Sequence, residues 1–262
     1  MAYRAIVTTA GRPTSKMVEA ALDTARELGV PFVERKKKSI SSLLLGCDIV
    51  IVRSADSVQL YHASSKDPYF FHPNLARVRV KALMNGGRDA FIEACGLQKG
   101  DTFLDCTLGF ASDSIVASYA VGEDGSVTGL EASPVLAYAT SLGLRNWNDE
   151  ESAIRNAMGR ITVKHADHLE YLRSLEDKCV DIVYFDPMFE ESIDESNAMQ
   201  SMSPFADHGL LLIESVEEAK RVSRRKVVLK DHFRSTRFKE FGFRQQVRKT
   251  SKFHYGIIDL EG

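Results

Sequence analysis

From Thr102 onward, short apolar runs of strand length alternate with longer stretches of helical period. "TFLDC" (102–106) is a buried strand, "SDSIVASYAV" (112–121) a helix and "GSVTGLE" (125–131) a strand. "SPVLAYATSLGLRNW" (133–147) is a helix with Pro134 in its first turn. "NDEESAIRNAM" (148–158) reads as another helix, capped by Asn148. Next come strand "RITVKHA" (160–166), helix "DHLEYLRSL" (167–175) and strand "VDIVYFD" (180–186). Helix "LLIESVEEAKRVS" (211–223) and strand "RKVVLK" (225–230) follow. The last stretch, "GFRQQVRKTSKFHYGIIDLEG" (242–262), reads as two antiparallel strands joined by a tight turn. Such alternation implies a mostly parallel sheet covered on both faces, here closed by an antiparallel pair.

Residues 1–71 read as a separate small α/β domain. Its predicted elements are strand "YRAIVTT", helix "SKMVEAALDTARELG", strand "PFVER", a short helix near "SISSLLL", and strands "CDIVIVRS" and "VQLYHAS". Residues 72–99 form a helical bridge, two helices broken at Gly86-Gly87, and residues 100–262 form the larger domain.

Composition narrows the class. The apolar fraction, 44%, is that of an ordinary globular chain. No apolar run reaches the roughly 20 residues of a membrane span. The start "MAYRAIVTTAGRP" has no long apolar core after a basic residue, so no secretory signal is expected. Cys47, Cys95, Cys106 and Cys179 are scattered with no CxxC pair. This argues against a metal site or disulfide framework and points to the cytoplasm.

The net charge of −2 conceals a division. Residues 1–95 carry 14 Lys/Arg against 9 Asp/Glu, residues 96–219 carry 7 against 23, and residues 220–252 carry 13 against 2. Basic ends around an acidic middle are able to attract a polyanion, and a solvated charged face is the other reading of each basic cluster.

The acids have a pattern of their own. In parallel sheets, ligands bind at the carboxyl ends of the strands. Four successive strand ends carry an acid: Asp105, Glu131, Asp167 and Asp186. Glu131 follows Asp105 by 26 positions, close to the spacing at which an acid takes a ribose diol. The first turn, with Thr107, Gly109, Ser112 and Asp113, lacks the glycines that let backbone approach a pyrophosphate. A ribose acid without a phosphate loop favours S-adenosylmethionine, which is cationic, over NAD or ATP.

The fourth strand ends in Asp186-Pro187-Met188-Phe189. This resembles the Asp/Asn-Pro-Pro-Tyr/Phe motif of class I amino-methyltransferases. An exocyclic amine is a poor nucleophile because its lone pair is delocalised into the ring. The resemblance assigns Asp186 and the Pro187 carbonyl to accept its protons, and Phe189 to stack on the target ring. Met188 departs from the motif's second proline.

A wider resemblance covers residues 72–262. The pieces "HPNLARVRVKALMNGGRDAFIEACGL", "FLDCTLGFASDSIVAS", "LEASPVLA", "KHADHLEYL", "YFDPMF" and "RKVVLKDHF" occur in order. They resemble the bacterial small-subunit ribosomal RNA guanine methyltransferases, the RsmJ-like group. The resemblance implies a Rossmann-like class I fold, S-adenosylmethionine as methyl donor, and ribosomal RNA or a ribosomal particle as substrate. It places cofactor positions at Ser112 and Asp113, Glu131 and Ala132, Asp167 and His168, and Asp186. Two departures stand out: Phe110-Ala111-Ser112 where the group has Gly-x-Gly-Arg, and acids after Phe189 where it has basic residues. In the N-terminal domain, "IVTTAGRPTSKMVEAALDTARELG" and "ERKKKSISSLL" resemble Brix-type ribosome-assembly domains, with Arg35 to Lys38 as phosphate contacts. Two other readings stay open: methylation of a protein or small-molecule amine, and a non-catalytic RNA-binding assembly factor.

Overall fold

The computed structural model describes residues 4–188, 197–206 and 209–260. The chain divides into two compact units.

The first unit holds the described residues up to His72, with Ser133–Trp147 and 197–206. Its sheet has the order β1 (Ala5–Thr9), β2 (Ile49–Arg53), β3 (Val58–His62), β4 (Tyr69–Phe70). β1 and β2 are parallel, and the other pairs antiparallel. Helix α1 (Ser15–Leu28) is capped by Thr14, whose hydroxyl accepts the Met17 N–H, and ends at Gly29 in the left-handed region. Helix α2 (Ile40–Leu44) packs Leu43 against Cys47, Val50 and Val52. The expected strand "PFVER" reduces to a single bridge between Val7 and Phe32.

The second unit comprises Pro73–Ala132, 148–188 and 209–260 among the described residues. It begins with helices α3 (Asn74–Met84) and α4 (Ala90–Cys95). Its sheet strands are β5 (Thr102–Asp105), β6 (Ser126–Glu131), β7 (Ile161–His165), β8 (Val180–Phe185), β9 (Ser223–His232), β10 (Arg244–Gln246) and β11 (Phe253–Asp259). Their spatial order is β10-β11-β9-β8-β5-β6-β7. The pairs from β9 through β8, β5 and β6 to β7 are parallel. β11 lies antiparallel between β9 and β10. This is the expected mixed α/β, Rossmann-like architecture. Helices α5 (Ser112–Val121), α7 (Ser152–Gly159), α8 (His168–Ser174), α10 (Ile213–Val222) and α11 (Arg237–Glu240) complete the unit. One core joins Leu104, Leu130, Val183, Phe185, Val227 and Leu229 of the strands to Leu172, Val216 and Val222 of α8 and α10.

The divisions differ from the sequence boundaries in two ways. Helix α6 (Pro134–Asn146), expected in the larger domain, clusters with the first unit, as does α9 (Asn197–Met202). Within that unit Tyr138 OH bonds Thr24 Oγ1 at 2.7 Å, Thr140 Oγ1 bonds Tyr69 OH at 3.1 Å, and the Phe71 ring fills the space beside Gly143. The bridge helices α3 and α4 belong to the second unit, where Asp89 caps α4 and its carboxylate holds Arg79 of α3.

Two local expectations also change. Helix α7 starts at Ser152, with Glu151 and not Asn148 at its cap position. The reason is Asp149, which is buried against Arg77 and accepts the Glu151 N–H, holding the preceding segment out of the helix. The final two strands are joined by residues 247–252 and not by a tight turn.

Candidate active site

Succession along the sheet reverses at β5: β6 and β7 follow on one side, β8 and β9 on the other. A crevice at the carboxyl ends of β5 and β8 is the site that such a reversal creates. Two bonds cross it. Cys106 N–H donates to Tyr184 O at 2.9 Å, and Asp186 N–H donates to Thr107 Oγ1 at 2.6 Å.

The turn after β5 is held against the end of β6. Leu108 N–H donates to Leu130 O at 2.9 Å, and Gly109 N–H donates to Glu131 Oε2 at 3.1 Å. Gly109 and Ala111 both have positive φ, +49° and +58°. For alanine that conformation costs roughly 1 kcal/mol, a strain that collects at functional turns. Gly129 makes room for the turn, since a Cβ there would lie 2.3 Å from Leu108 Cδ1. Ser112 opens α5 directly after Ala111.

Asp105 is buried, with Oδ1 accepting the Thr107 N–H at 3.0 Å and Oδ2 accepting the Ser114 hydroxyl at 2.7 Å. Burial pushes its pKa up to about 7, with Asp113 and Asp186 adding to the rise. Glu131 is buried at the end of β6, and Ala132 follows it, its carbonyl 3.2 Å from His165 Nε2. Asp167 is exposed and caps α8 through the Glu170 N–H at 3.0 Å. The His168 ring turns toward α10, with Nε2 3.0 Å from Ser215 Oγ and its edge on Phe185.

Asp113 differs from the other predicted cofactor residues. It sits in the first turn of α5, and its carboxylate meets side chains of α3, β8 and β9. Its Oδ1 takes Arg79 Nη1 at 2.5 Å, and its Oδ2 takes the Tyr184 hydroxyl at 2.8 Å and Lys230 Nζ at 3.2 Å. Burial opposes its charge, but Lys230 and Arg79 outweigh burial and hold its pKa below the carboxylate range. Both oxygens are thus engaged by protein side chains.

Lys230, at the end of β9, links this network to the predicted catalytic acid. Its Nζ lies 2.5 Å from Asp186 Oδ2. Burial raises the Asp186 pKa to about 6; Lys230 restrains that rise and Asp113 adds to it. Two carboxylates therefore share one ammonium. Lys230, Arg79 and Tyr184 lie outside the pattern of acids at strand ends, and so outside what that pattern predicts. The available signal was a lysine closing the apolar run "VVL". Pro187 follows Asp186 directly, whereas the predicted stacking residue Phe189 lies outside the described residues.

The donor set fits S-adenosylmethionine. Acids end β5 and β6, another caps α8 just past β7, and Asp186 follows β8. A ligand with an ammonium, a sulfonium, a diol and an aromatic amine needs such acceptors. A pyrophosphate needs N–H donors, and the Gly109 N–H in this turn is already given to Glu131. Among the described residues no His/Cys/Asp/Glu group is arranged to hold a metal ion, and no helix is long and apolar enough to cross a membrane.

Comparisons with known proteins give the family and the fold. The uncharacterized protein YpiP of Bacillus subtilis is 40% identical over 255 residues, covering 97% of this chain and 98% of that protein. Ribosomal RNA small subunit methyltransferase J of Acinetobacter baumannii is 27% identical over 133 residues, 50% of this chain and 44% of that enzyme. The crystal structure of the SAM-dependent methyltransferase NGO1261 from Neisseria gonorrhoeae superposes with a TM-score of 0.62. That alignment has 18% identity and covers 96% of this chain and 94% of that one, a likeness of fold. The family described as "Putative SAM-dependent methyltransferase" matches residues 44–246, and the chain belongs to this family of class I methyltransferases that use S-adenosylmethionine.

Proposed function

We propose that the protein methylates an exocyclic amine, that of a guanine in small-subunit ribosomal RNA. The observation that carries this reading is the placement of Asp186. It follows β8 at the sheet reversal, its N–H is fixed by Thr107 Oγ1, and its carboxylate is held by Lys230. An acceptor so fixed orients an amine and stabilises the positive charge that develops on its nitrogen during attack. The Pro187 carbonyl serves as the second acceptor, and Phe189 as the stacking surface. S-adenosylmethionine, when bound, supplies the electrophilic methyl group. Glu131 holds its ribose hydroxyls. Asp167, with His168 and Ala132 beside it, faces the adenine amine. Asp105, Thr107, Gly109 and Ser112 line the amino-acid end, and Asp113 acts from behind through Lys230. The partial likeness to the Acinetobacter ribosomal RNA enzyme and the basic segment 220–252 support RNA as the substrate class.

The acids after Phe189, Glu190, Glu191, Asp194 and Glu195, favour a second reading, in which a cationic protein or small-molecule amine is the acceptor. One assay separates the two. Labelled methyl transfer is measured on naked ribosomal RNA, small subunits, whole ribosomes and ribosomal proteins, and the modified position is mapped. Label on a guanine amine supports the proposal. Label confined to protein or small amines overturns it.

A further inference from the structure

We propose that Phe233, Phe253 and Arg248 form a platform on which unpaired RNA bases flanking the target stack. This rests on the reading of RNA as substrate and names the form in which it binds.

The platform lies on the same sheet edge as Asp186. β9 runs parallel to β8, so its last residues reach the edge where β8 delivers Asp186. β11 runs the other way and begins there, with Phe253 paired to His232. Lys230 marks the junction, because its Nζ is 2.5 Å from Asp186 Oδ2 and 5.0 Å from the Phe253 ring centre. A base held at Asp186 therefore has Phe253 as a neighbour.

Aromatic and basic groups interleave across this edge. The Arg248 guanidinium lies over Phe253 at 4.6 Å and over Tyr255 at 5.6 Å, and Arg234 lies over Phe233 at 5.0 Å. Cation–π pairs occur about once per 70–80 residues. Among the described residues, four of the five such pairs fall between Lys230 and Tyr255. Phe233 is 38% exposed, so part of its ring is open to a ligand.

The surface is also rigid. Phe233 N–H donates to Lys252 O at 3.1 Å, and Gln245 Nε2 donates to Phe233 O at 2.9 Å. The His254 ring joins Gln245 Nε2 at 2.9 Å to Arg248 O at 3.2 Å. Phe253 opens β11 and Phe233 sits in the turn directly after β9. Rings on backbone tied in this way suit stacking, since little ordering remains to be done on binding.

The chemistry selects single strands. An exocyclic amine must leave its stack to reach a buried acceptor, and its neighbours are then unstacked as well. Unstacked bases bind aromatic faces and guanidinium planes in a sequence-tolerant way. The segment 220–252, with 13 basic and 2 acidic residues, supplies the charge for the backbone.

The test is fluorescence anisotropy with a labelled single-stranded RNA of about 12 nucleotides and a hairpin duplex of the same composition. Phe233→Leu and Phe253→Leu should each weaken the single strand about 5- to 150-fold and the duplex little. S-adenosylhomocysteine affinity should stay unchanged. Phe233→Tyr and Phe253→Tyr keep the rings and should retain binding, which separates stacking from loss of fold. Unchanged single-strand affinity in the leucine variants, or equal losses on both probes, overturns the proposal. RNA methylation by the parent protein alongside such a result would leave the proposed function standing. Platform-dependent binding with methyl transfer only to protein would overturn the function and keep the platform.

Discussion

Lys230 Nζ lies 2.5 Å from Asp186 Oδ2, and the same nitrogen lies 3.2 Å from Asp113 Oδ2. The Lys230 side chain is only 16% exposed and that of Asp186 25%. One ammonium therefore balances the carboxylate proposed for the chemistry and a second, more buried carboxylate. Arg79, paired with Asp89 and Asp113, supplies the second positive charge of the cluster.

Removing the ammonium should leave two like charges facing each other. Lys230→Met is expected to destabilise the protein by about 3–5 kcal/mol, the cost of breaking a buried pair from one side. Chemical denaturation measures it. A loss below about 1 kcal/mol would show the pair to be solvated. Turnover should fall as well, because Asp186 without Lys230 is both misplaced and harder to ionise.

Asp186 should set the acid limb of the pH profile. An acceptor of amine protons must be ionised, and burial places its pKa at about 6. Methyl transfer should therefore rise with pH through about 6 and level above it. The charged groups facing this carboxylate are Lys230, Asp113, Asp231 and Asp105. Asp186→Asn should keep partial turnover and lose that limb. Asp186→Ala should lower turnover by about 10²–10³, the range for removing one preorganised transition-state group. A flat profile from pH 5 to 8 would place the ionisation elsewhere.

Asp105 should make folding stability depend on pH in the opposite sense to a salt-bridged acid. Its pKa rises on folding from 3.8 to about 7, mainly through burial. The native state then holds this proton more tightly than the unfolded chain. The contribution is fully present below pH about 4 and is lost as pH rises toward 7. Asp105→Asn keeps an acceptor for the Thr107 N–H and removes the charge. Relative to the parent, it should gain stability between pH 4 and 8, on the order of a few kcal/mol. Thermal denaturation of both proteins across that range decides it, and parallel curves would contradict a raised Asp105.

Glu131 should matter to cofactor and little to fold. Glu131→Ala removes charge-assisted bonds to a diol, a loss of about 1.5–3 kcal/mol in binding. Calorimetry with S-adenosylhomocysteine reads this directly. Unchanged affinity would move the ribose contact to another strand end.

Local patterning alone determined much of this protein. The period of apolar residues located α5 at Ser112–Val121, β6 at Ser126–Glu131 and β8 at Val180–Phe185, because each of these elements has its own apolar run and its own breaker. It also marked the acids at the strand ends, since a charge directly after a buried run must sit at an edge. What the pattern could not contain was adjacency. Thr107 and Asp186 are 79 residues apart, Lys230 and Asp186 44, and Lys230 and Asp113 117. Their meeting depends on β8 lying beside β5 and β9 beside β8, an order set by crossovers and pairing. The same holds for β11 between β9 and β10, and for α6 leaving the larger unit. Periodicity shows which face of an element is buried, but only the packed chain shows against what, and the charge balance at Asp186 is a property of that packing.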